Sequence, residues 1–136
     1  MSFGDDIKRF QTKLDGALDE LGRQVGIATR RSVASRTPVL TGRAAASWRT
    51  DVNEAVEVAQ PETYFNPSSP VEDGVDAVEE FTFGDNLIVS NSLPYIEPLN
   101  SGSSAKAPAG FIEATTGELP AIAEEAARQT KAKFGL

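Results

Sequence analysis

Apolar residues recur every three or four positions through the first part of the chain, with polar and charged residues between them. They fall at positions 3, 7, 10, 14, 17, 21, 25 and 28, a spacing that places the side chains in one narrow stripe along a helix. Ser2 and Asp5 fit a capping box. Thr37 precedes Pro38, and a residue before proline is disfavoured in the α conformation. The pattern predicts a helix from about Ser2 to about Ser35.

The length of this helix raises a packing problem. At 1.5 Å per residue it would extend about 50 Å, which is longer than a domain of this size can cover. We therefore expect part of the stripe to pack on another subunit or another protein. Gly16, Gly22 and Gly26 each disfavour a helix by roughly 1 kcal/mol relative to alanine. A helix that breaks near Gly22–Gly26 and folds back on its own core is the alternative.

The pattern changes to strand-like alternation from Ala46 to Val58. A second strand-like stretch contains Val78, Phe81 and Phe83, and a turn at 84–86 separates it from the apolar run 87–89, which is a hairpin signal. A C-terminal helix is predicted from about Gly117 to Phe134. The predicted fold class is α+β: a long N-terminal helix, a small antiparallel sheet of about three to four strands with a hairpin, and a C-terminal helix.

Thr115 and Glu118 offer a capping box for the C-terminal helix, with Pro120 in its first turn. Residues 60–76 contain three prolines and four acidic residues, and they predict a loop long enough to have a function. We expect residues 1–136 to form a single domain that carries 60–76 as an acidic, proline-rich insertion.

The composition narrows the chemistry that the chain can perform. The 136 residues include no cysteine and no histidine, which excludes disulfides, zinc fingers, Cys nucleophiles and Ser–His catalysis. The net charge of -7 makes nucleic-acid binding by the whole molecule unfavourable. The acidic amino terminus is unlike a signal peptide, and no apolar run approaches the ~20 residues of a spanning helix, so we expect no membrane association.

The charges are segregated along the chain. Residues 1–49 carry nine basic and five acidic residues, whereas residues 50–127 carry one basic and fifteen acidic residues. The last nine residues carry three basic residues and no acidic one. The distribution indicates an electrostatically polar molecule, unless the acidic residues only line a solvated loop.

Known catalytic and metal-binding patterns do not fit well. Ser103 and Lys106 have the S-x-x-K spacing, but the companion motifs and the strand-to-helix context are missing. The acidic run at 72–80 departs from a calcium-binding loop because its glycine comes too early. The chain is predicted not to be an enzyme and to hold no cofactor or metal.

Three stretches together resemble a family of tailed-phage neck or tail-completion proteins, also described as minor tail components. Residues 37–48 (TPVLTGRAAASW) resemble the family's "TPVDTGxLRxSW" block. Residues 88–97 (IVSNSLPYIE) resemble its "xVxNxxPYAxxxE" block, and Gly102 with 107–111 (APAGF) resembles its "GTS..APxGF" stretch. The order and spacing of the blocks match, and the likeness spans most of the chain outside 60–76.

The resemblance implies a virion structural protein, assembled in the host cytoplasm, in the head–tail joint of a long-tailed phage. Such proteins form rings, typically sixfold, between the head-closure (connector) ring and the tail tube or its terminator, and DNA passes through the lumen without specific binding. Ring closure needs two different complementary surfaces on each subunit. The candidate interface residues are Arg30, Arg31, Arg36, Arg43, Trp48, Tyr95 and Glu97.

In this hypothesis, acidic residues of the middle region pair with arginines of a neighbouring copy. Trp48 and Tyr95 suit either the domain's own core or the centre of an interface. Two other functions stay open: a tail terminator that caps the finished tube, and a monomeric acidic adaptor that binds one partner through its loop.

Overall fold

The computed structural model describes residues 2–38, 43–57, 71–102 and 110–136. Within them lie four helices and three strands, which we number in chain order: α1 (Phe3–Arg36), α2 (Arg43–Ala46), β1 (Trp48–Val52), β2 (Val75–Asp76), β3 (Leu87–Asn91), α3 (Ile96–Asn100) and α4 (Phe111–Phe134). The chain is therefore α+β, with a long N-terminal helix, a small sheet and a C-terminal helix, as the sequence predicts.

Helix α1 is continuous and begins and ends at the residues that the sequence indicates. The Ser2 hydroxyl accepts a hydrogen bond from the Asp5 backbone N–H, and the Asp5 carboxylate accepts one from the Ser2 backbone N–H, which together form the capping box. Thr37 is the C-cap, in an extended conformation before proline. The alternative of a break near Gly22–Gly26 is wrong.

Two of the glycines in α1 lie where the sheet and its connections approach the helix most closely. A Cβ on Gly22 would lie 1.9 Å from Cε1 of Phe81, and a Cβ on Gly26 would lie 3.1 Å from Cγ2 of Thr50. The Thr50 hydroxyl also donates to the Gly26 carbonyl at 3.1 Å. The helix-propensity cost of these glycines is thus offset by close packing of α1 on the sheet side.

The sheet is mixed, which corrects the predicted antiparallel hairpin. Its order is β2-β1-β3: β1 pairs in parallel with β2 and antiparallel with β3. Residues 77–86 form turns, with the Thr82 carbonyl accepting from the Asp85 N–H at 2.9 Å and the Asp85 carboxylate accepting from the Thr82 N–H and hydroxyl. Phe81 lies in no strand, and its buried ring packs on Gly22. The apolar residues predicted as the first hairpin strand therefore belong to a turn-rich connection that covers α1.

Helix α4 begins at Phe111, six residues before the predicted start. Its N-terminal groups are held by Asn100, whose carbonyl accepts from the Gly110 N–H and whose side-chain oxygen accepts from the Ile112 N–H, at 2.8 and 2.9 Å. Because this cap lies ten residues away in sequence, local capping signals could not locate it. Pro120 consequently lies inside the helix and not in its first turn.

The main core lies where the C-terminal part of α1 meets α2, β1, α3 and the start of α4. Its buried members are Val33, Ala34, Ala44, Trp48, Leu93, Ile96 and Phe111. Helix α4 then runs antiparallel along α1, so that Glu118 lies near Arg36 and Phe134 lies near Gly16. Most of the predicted loop at 60–76 lies outside the described residues, and its last two residues form β2.

Candidate functional site

Arg30 is buried within its own chain. It is 1% exposed, and its Nε and Nη2 donate to the two carboxylate oxygens of Asp76 at 2.6 and 3.1 Å. Its Nη1 donates to the Val71 carbonyl at 2.8 Å. Gly74 provides the space, since a Cβ there would lie 1.9 Å from Nη1. Arg30 therefore fastens the segment before β2 to α1 and presents no cation to a neighbour.

Arg31 and Arg36 also pair with acidic residues of the same chain. Arg31 contacts the Glu72 carboxylate, and both side chains are exposed to solvent. Arg36 contacts the Glu118 carboxylate and donates to the Thr115 hydroxyl at 3.3 Å. The hydrogen bonds from these arginines lower the pKa of the Glu72 and Glu118 carboxyls below their ordinary value. The acidic partners expected on a neighbouring copy are thus supplied, for three of the four arginines, within the subunit.

Trp48 belongs to the core and not to the surface. It is buried among the core residues, and its Nε1–H donates to the Thr37 hydroxyl at 2.9 Å, which in turn donates to the Val33 carbonyl at 2.7 Å. Arg43 begins α2 and is partly buried. Tyr95 and Glu97 are exposed at the start of α3, with Tyr95 as its N-cap.

Described residues from each of the three stretches that carry the family resemblance lie at or beside this core. Trp48 of the first stretch bonds Thr37, and Asn91 of the second donates from its amide to the Ala44 carbonyl at 2.9 Å. The Asn91 side-chain oxygen accepts from the Leu93 N–H at 3.1 Å. Phe111, which ends the third stretch, is buried in the same cluster. The described residues of these motifs therefore lie at the junction between the helices and the sheet.

The first ten residues of α1 extend beyond the rest of the described structure. Helix α4 ends beside residues 13–16 of α1. Lys13 Nζ donates to the Gly135 carbonyl at 3.3 Å, and a Cβ on Gly16 would lie 3.4 Å from the Phe134 ring. Within the described residues, no hydrogen bond or ion pair joins residues 3–12 to another element. We call residues 3–12 the overhang; at 1.5 Å per residue it projects about 15 Å.

The apolar stripe of α1 continues along the overhang without cover. Its exposed members, here called the exposed stripe, are Phe3, Ile7 and Phe10 of the overhang and Leu14 just after it, which are 79%, 50%, 56% and 37% exposed. The next member of the stripe, Ala17, is buried. The sequence pattern predicts the stripe and a helix longer than the domain can cover, but these four residues are not among the candidate interface residues named above. The signal was the difference in length between the two helices.

An acidic cleft of about 550 Å³ lies at the β1–β2 side of the sheet. Its acidic lining residues are Asp51, Glu54, Asp76, Glu79 and Glu80. Asp51 is neutralised by Arg49, whose Nε and Nη2 both donate at 2.7 Å, and this contact lowers the pKa of the Asp51 carboxyl. Asp76 is held by Arg30. Glu54, Glu79 and Glu80 are exposed, so the outer part of the cleft carries the free negative charge.

Among the described residues, no group of three or more acidic side chains is arranged to hold a metal ion. Ser103 and Lys106 lie outside the described residues. No helix in the described part of the chain combines the length and the apolar character that crossing a bilayer requires.

In the described part of the chain, the exposed stripe is therefore an apolar helix face that no other element covers. Comparison of the chain with protein-family models, with curated proteins and with solved structures found no match.

Proposed function

We propose that this chain is a structural subunit of the head–tail joint of a long-tailed phage. In this proposal several copies, six by the family resemblance, form a closed ring that completes the tail or joins it to the head-closure ring. DNA passes through the lumen, and the chain performs no catalysis. The observation that carries the proposal is the overhang, whose apolar face is not covered by any described residue of the subunit.

The size of the exposed stripe indicates how strongly it favours assembly. The exposed fractions of its four side chains amount to about two fully exposed side chains. Complete burial of such a side chain is worth about 1.5–3 kcal/mol, so covering the stripe contributes about 3–6 kcal/mol. Association of two molecules costs at least about 4 kcal/mol in lost translational and rotational freedom. A single contact is therefore weak, and a closed ring or a docking platform is needed to hold the copies together.

The ion pairs change the electrostatic part of the hypothesis. Arg30, Arg31 and Arg36 are engaged by Asp76, Glu72 and Glu118 of the same chain, so neighbouring copies do not need to supply these acids. We propose that the acidic cleft faces the lumen, where its free carboxylates repel the DNA backbone and keep it from adhering. Assembly then depends on apolar contacts, and it should respond weakly to salt.

Electron microscopy of particles made without this gene tests the proposed function. A joint protein predicts heads filled with DNA beside separate tails of normal length. A tail terminator instead predicts tubes of irregular length, because nothing stops their growth. Intact infectious virions would overturn the proposal and favour a monomeric adaptor.

A further inference from the structure

The occupant of the exposed stripe follows from a second feature of the same helix pair. We infer that the exposed stripe of one copy seats in the groove between α1 and α4 of the next copy, in a head-to-tail contact that closes the ring. This inference rests on the proposed function and specifies its subunit contact.

The groove is lined in part by small side chains. It has a volume of about 280 Å³, and its lining includes Gln24 and Ala28 of α1 with Ala121, Ile122, Ala126 and Gln129 of α4. Three alanines leave space into which phenylalanine and isoleucine side chains of a third helix can insert. Helices pack in this way when the ridges of one enter the grooves of others.

The groove is continuous with the face of α1 that carries the stripe. Gln24 and Ala28 follow Leu21 at the three- and four-residue steps of the stripe, so they lie on the same side of α1. Within the described residues, α4 runs along α1 from Arg36 to Lys13, and the stripe is exposed at Leu14 and through the overhang. In the neighbour's groove, the exposed stripe would pack against residues of α4, as the covered part of the stripe does within its own chain.

The docking would bury no unpaired charge. The four residues of the exposed stripe are apolar, and Glu125 is the one charged residue in the described lining of the groove. Arg128 lies 2.7 Å from the Glu125 carboxylate, and Gln129 Nε2 donates to it at 3.0 Å. The charge in the groove is therefore compensated before a neighbour arrives, and the alanine and isoleucine side chains of the lining are available to the stripe.

The buried area favours the head-to-tail contact over pairing of two overhangs. With 150–250 Å² for each aromatic side chain, the exposed stripe offers roughly 400 Å². Pairing of two overhangs would bury roughly 400 Å² per copy, about half of the roughly 800 Å² per partner that stable interfaces bury. In a ring each copy buries its stripe at one contact and its groove at the other, so the total is roughly 800 Å² per copy, twice that of a pair of overhangs. Each single contact buries only roughly 400 Å² per partner, and the closed ring supplies the rest.

Cysteine cross-linking tests the contact directly, because the native chain has no cysteine. Gln11→Cys places a thiol beside the exposed stripe without removing any of its four residues, and Ala121→Cys places one in the groove. With a short bismaleimide, we expect the mixed Q11C and A121C proteins to give a cross-linked pair at high protein concentration. Q11C with Ala123→Cys is the matched control, since Ala123 is exposed on α4 but does not line the groove.

Three outcomes decide the inference. The pair formed by Q11C with A121C, and not with A123C, supports it. A pair formed by Q11C alone would overturn it in favour of overhang-to-overhang contact, and absence of any cross-link at all concentrations would also overturn it.

A second variant separates this contact from the proposed function. Ala121→Arg fills the groove at an exposed position, and Ala123→Arg adds the same side chain outside it. We expect A121R to lose ring formation in sedimentation and to fail to restore joined particles, whereas A123R behaves as the native chain. If A121R assembles and restores joined particles, the groove is the wrong surface although the chain still serves the joint. If particles need no copy of the chain, the proposed function itself fails.

Discussion

Replacement of Arg30 by methionine tests whether the ion pair inside the fold organises the segment around β2. The substitution removes the cation but keeps a long apolar side chain in the buried space. It leaves the Asp76 carboxylate and the Val71 carbonyl without the donors that lie 2.6–3.1 Å away. Breaking a buried pair in this way costs about 3–5 kcal/mol. The Asp76 side chain is 24% exposed and can recruit water, so we expect about 3 kcal/mol.

The neighbouring arginine provides a matched control. Arg31→Met removes the same type of side chain from a pair with Glu72 in which both partners are exposed. Exposed pairs contribute about 0–1 kcal/mol, so R31M should leave the free energy of unfolding nearly unchanged.

The measurement is urea unfolding followed by the fluorescence of Trp48, the single tryptophan and a member of the core. With an m-value of about 1–3 kcal/mol per M, a loss of about 3 kcal/mol lowers the midpoint by about 1–3 M for R30M. Asp76→Asn completes a double-mutant cycle and should show strong coupling with R30M. Equal small shifts for R30M and R31M would refute the assignment of Arg30 to the core.

Three further predictions concern the overhang, the helix glycines and pH. Deletion of residues 2–12 should leave the urea midpoint unchanged, because the described overhang makes no tertiary hydrogen bond. The same deletion should abolish assembly in sedimentation. An unfolded product would contradict this prediction. Gly117→Ala should stabilise the fold by up to about 1 kcal/mol, since the added Cβ meets open space. Gly22→Ala should destabilise the fold, because the added Cβ would overlap the Phe81 ring. Equal shifts in the urea midpoint for the two variants would contradict this packing. The hydrogen bond from Arg49 lowers the pKa of Asp51 in the folded state. The ionised Asp51 carboxylate therefore contributes its full stabilisation above about pH 4, the pKa range of an unfolded aspartate. That stabilisation is lost as the pH falls through the lower pKa of the folded state. The midpoint difference between the native chain and Asp51→Asn should therefore shrink at pH 3, and a constant difference from pH 7 to pH 3 would argue against this ion pair.

The local signals in the sequence located α1 well and the sheet poorly. The bounds of α1 depend on Ser2, Asp5 and Pro38, all of which act within a few residues. The hairpin prediction was wrong because the pairing of β1 with β2 and β3 is not local, and the alternation through 78–83 reflects packing of turns on α1. The start of α4 was misplaced because Asn100 caps it across the connection 101–109.

The candidate site could be predicted only in part, because exposure is a property of the fold. An arginine carries the same charge in the core and on the surface, and only the structure separates Arg30 from Arg31. Trp48 suited both a core and an interface, and its bond to Thr37 assigns it to the core. The length of α1, in contrast, could be predicted from the sequence, because local signals mark both of its ends. It led to the expectation of an uncovered stripe, and the four exposed residues begin beside the end of α4 and continue beyond it.

The central claim is that the exposed stripe joins this subunit into the structure that connects head and tail. Its most direct test is the fraction of heads that carry tails, counted by electron microscopy in a gene deletion complemented with the native chain or with a four-serine variant. The variant carries Phe3→Ser, Ile7→Ser, Phe10→Ser and Leu14→Ser, and its Trp48 fluorescence is measured as the control for folding. We predict joined particles with the native chain and separate filled heads and tails with the folded variant. Joined, infectious particles at native levels with the variant would contradict the claim.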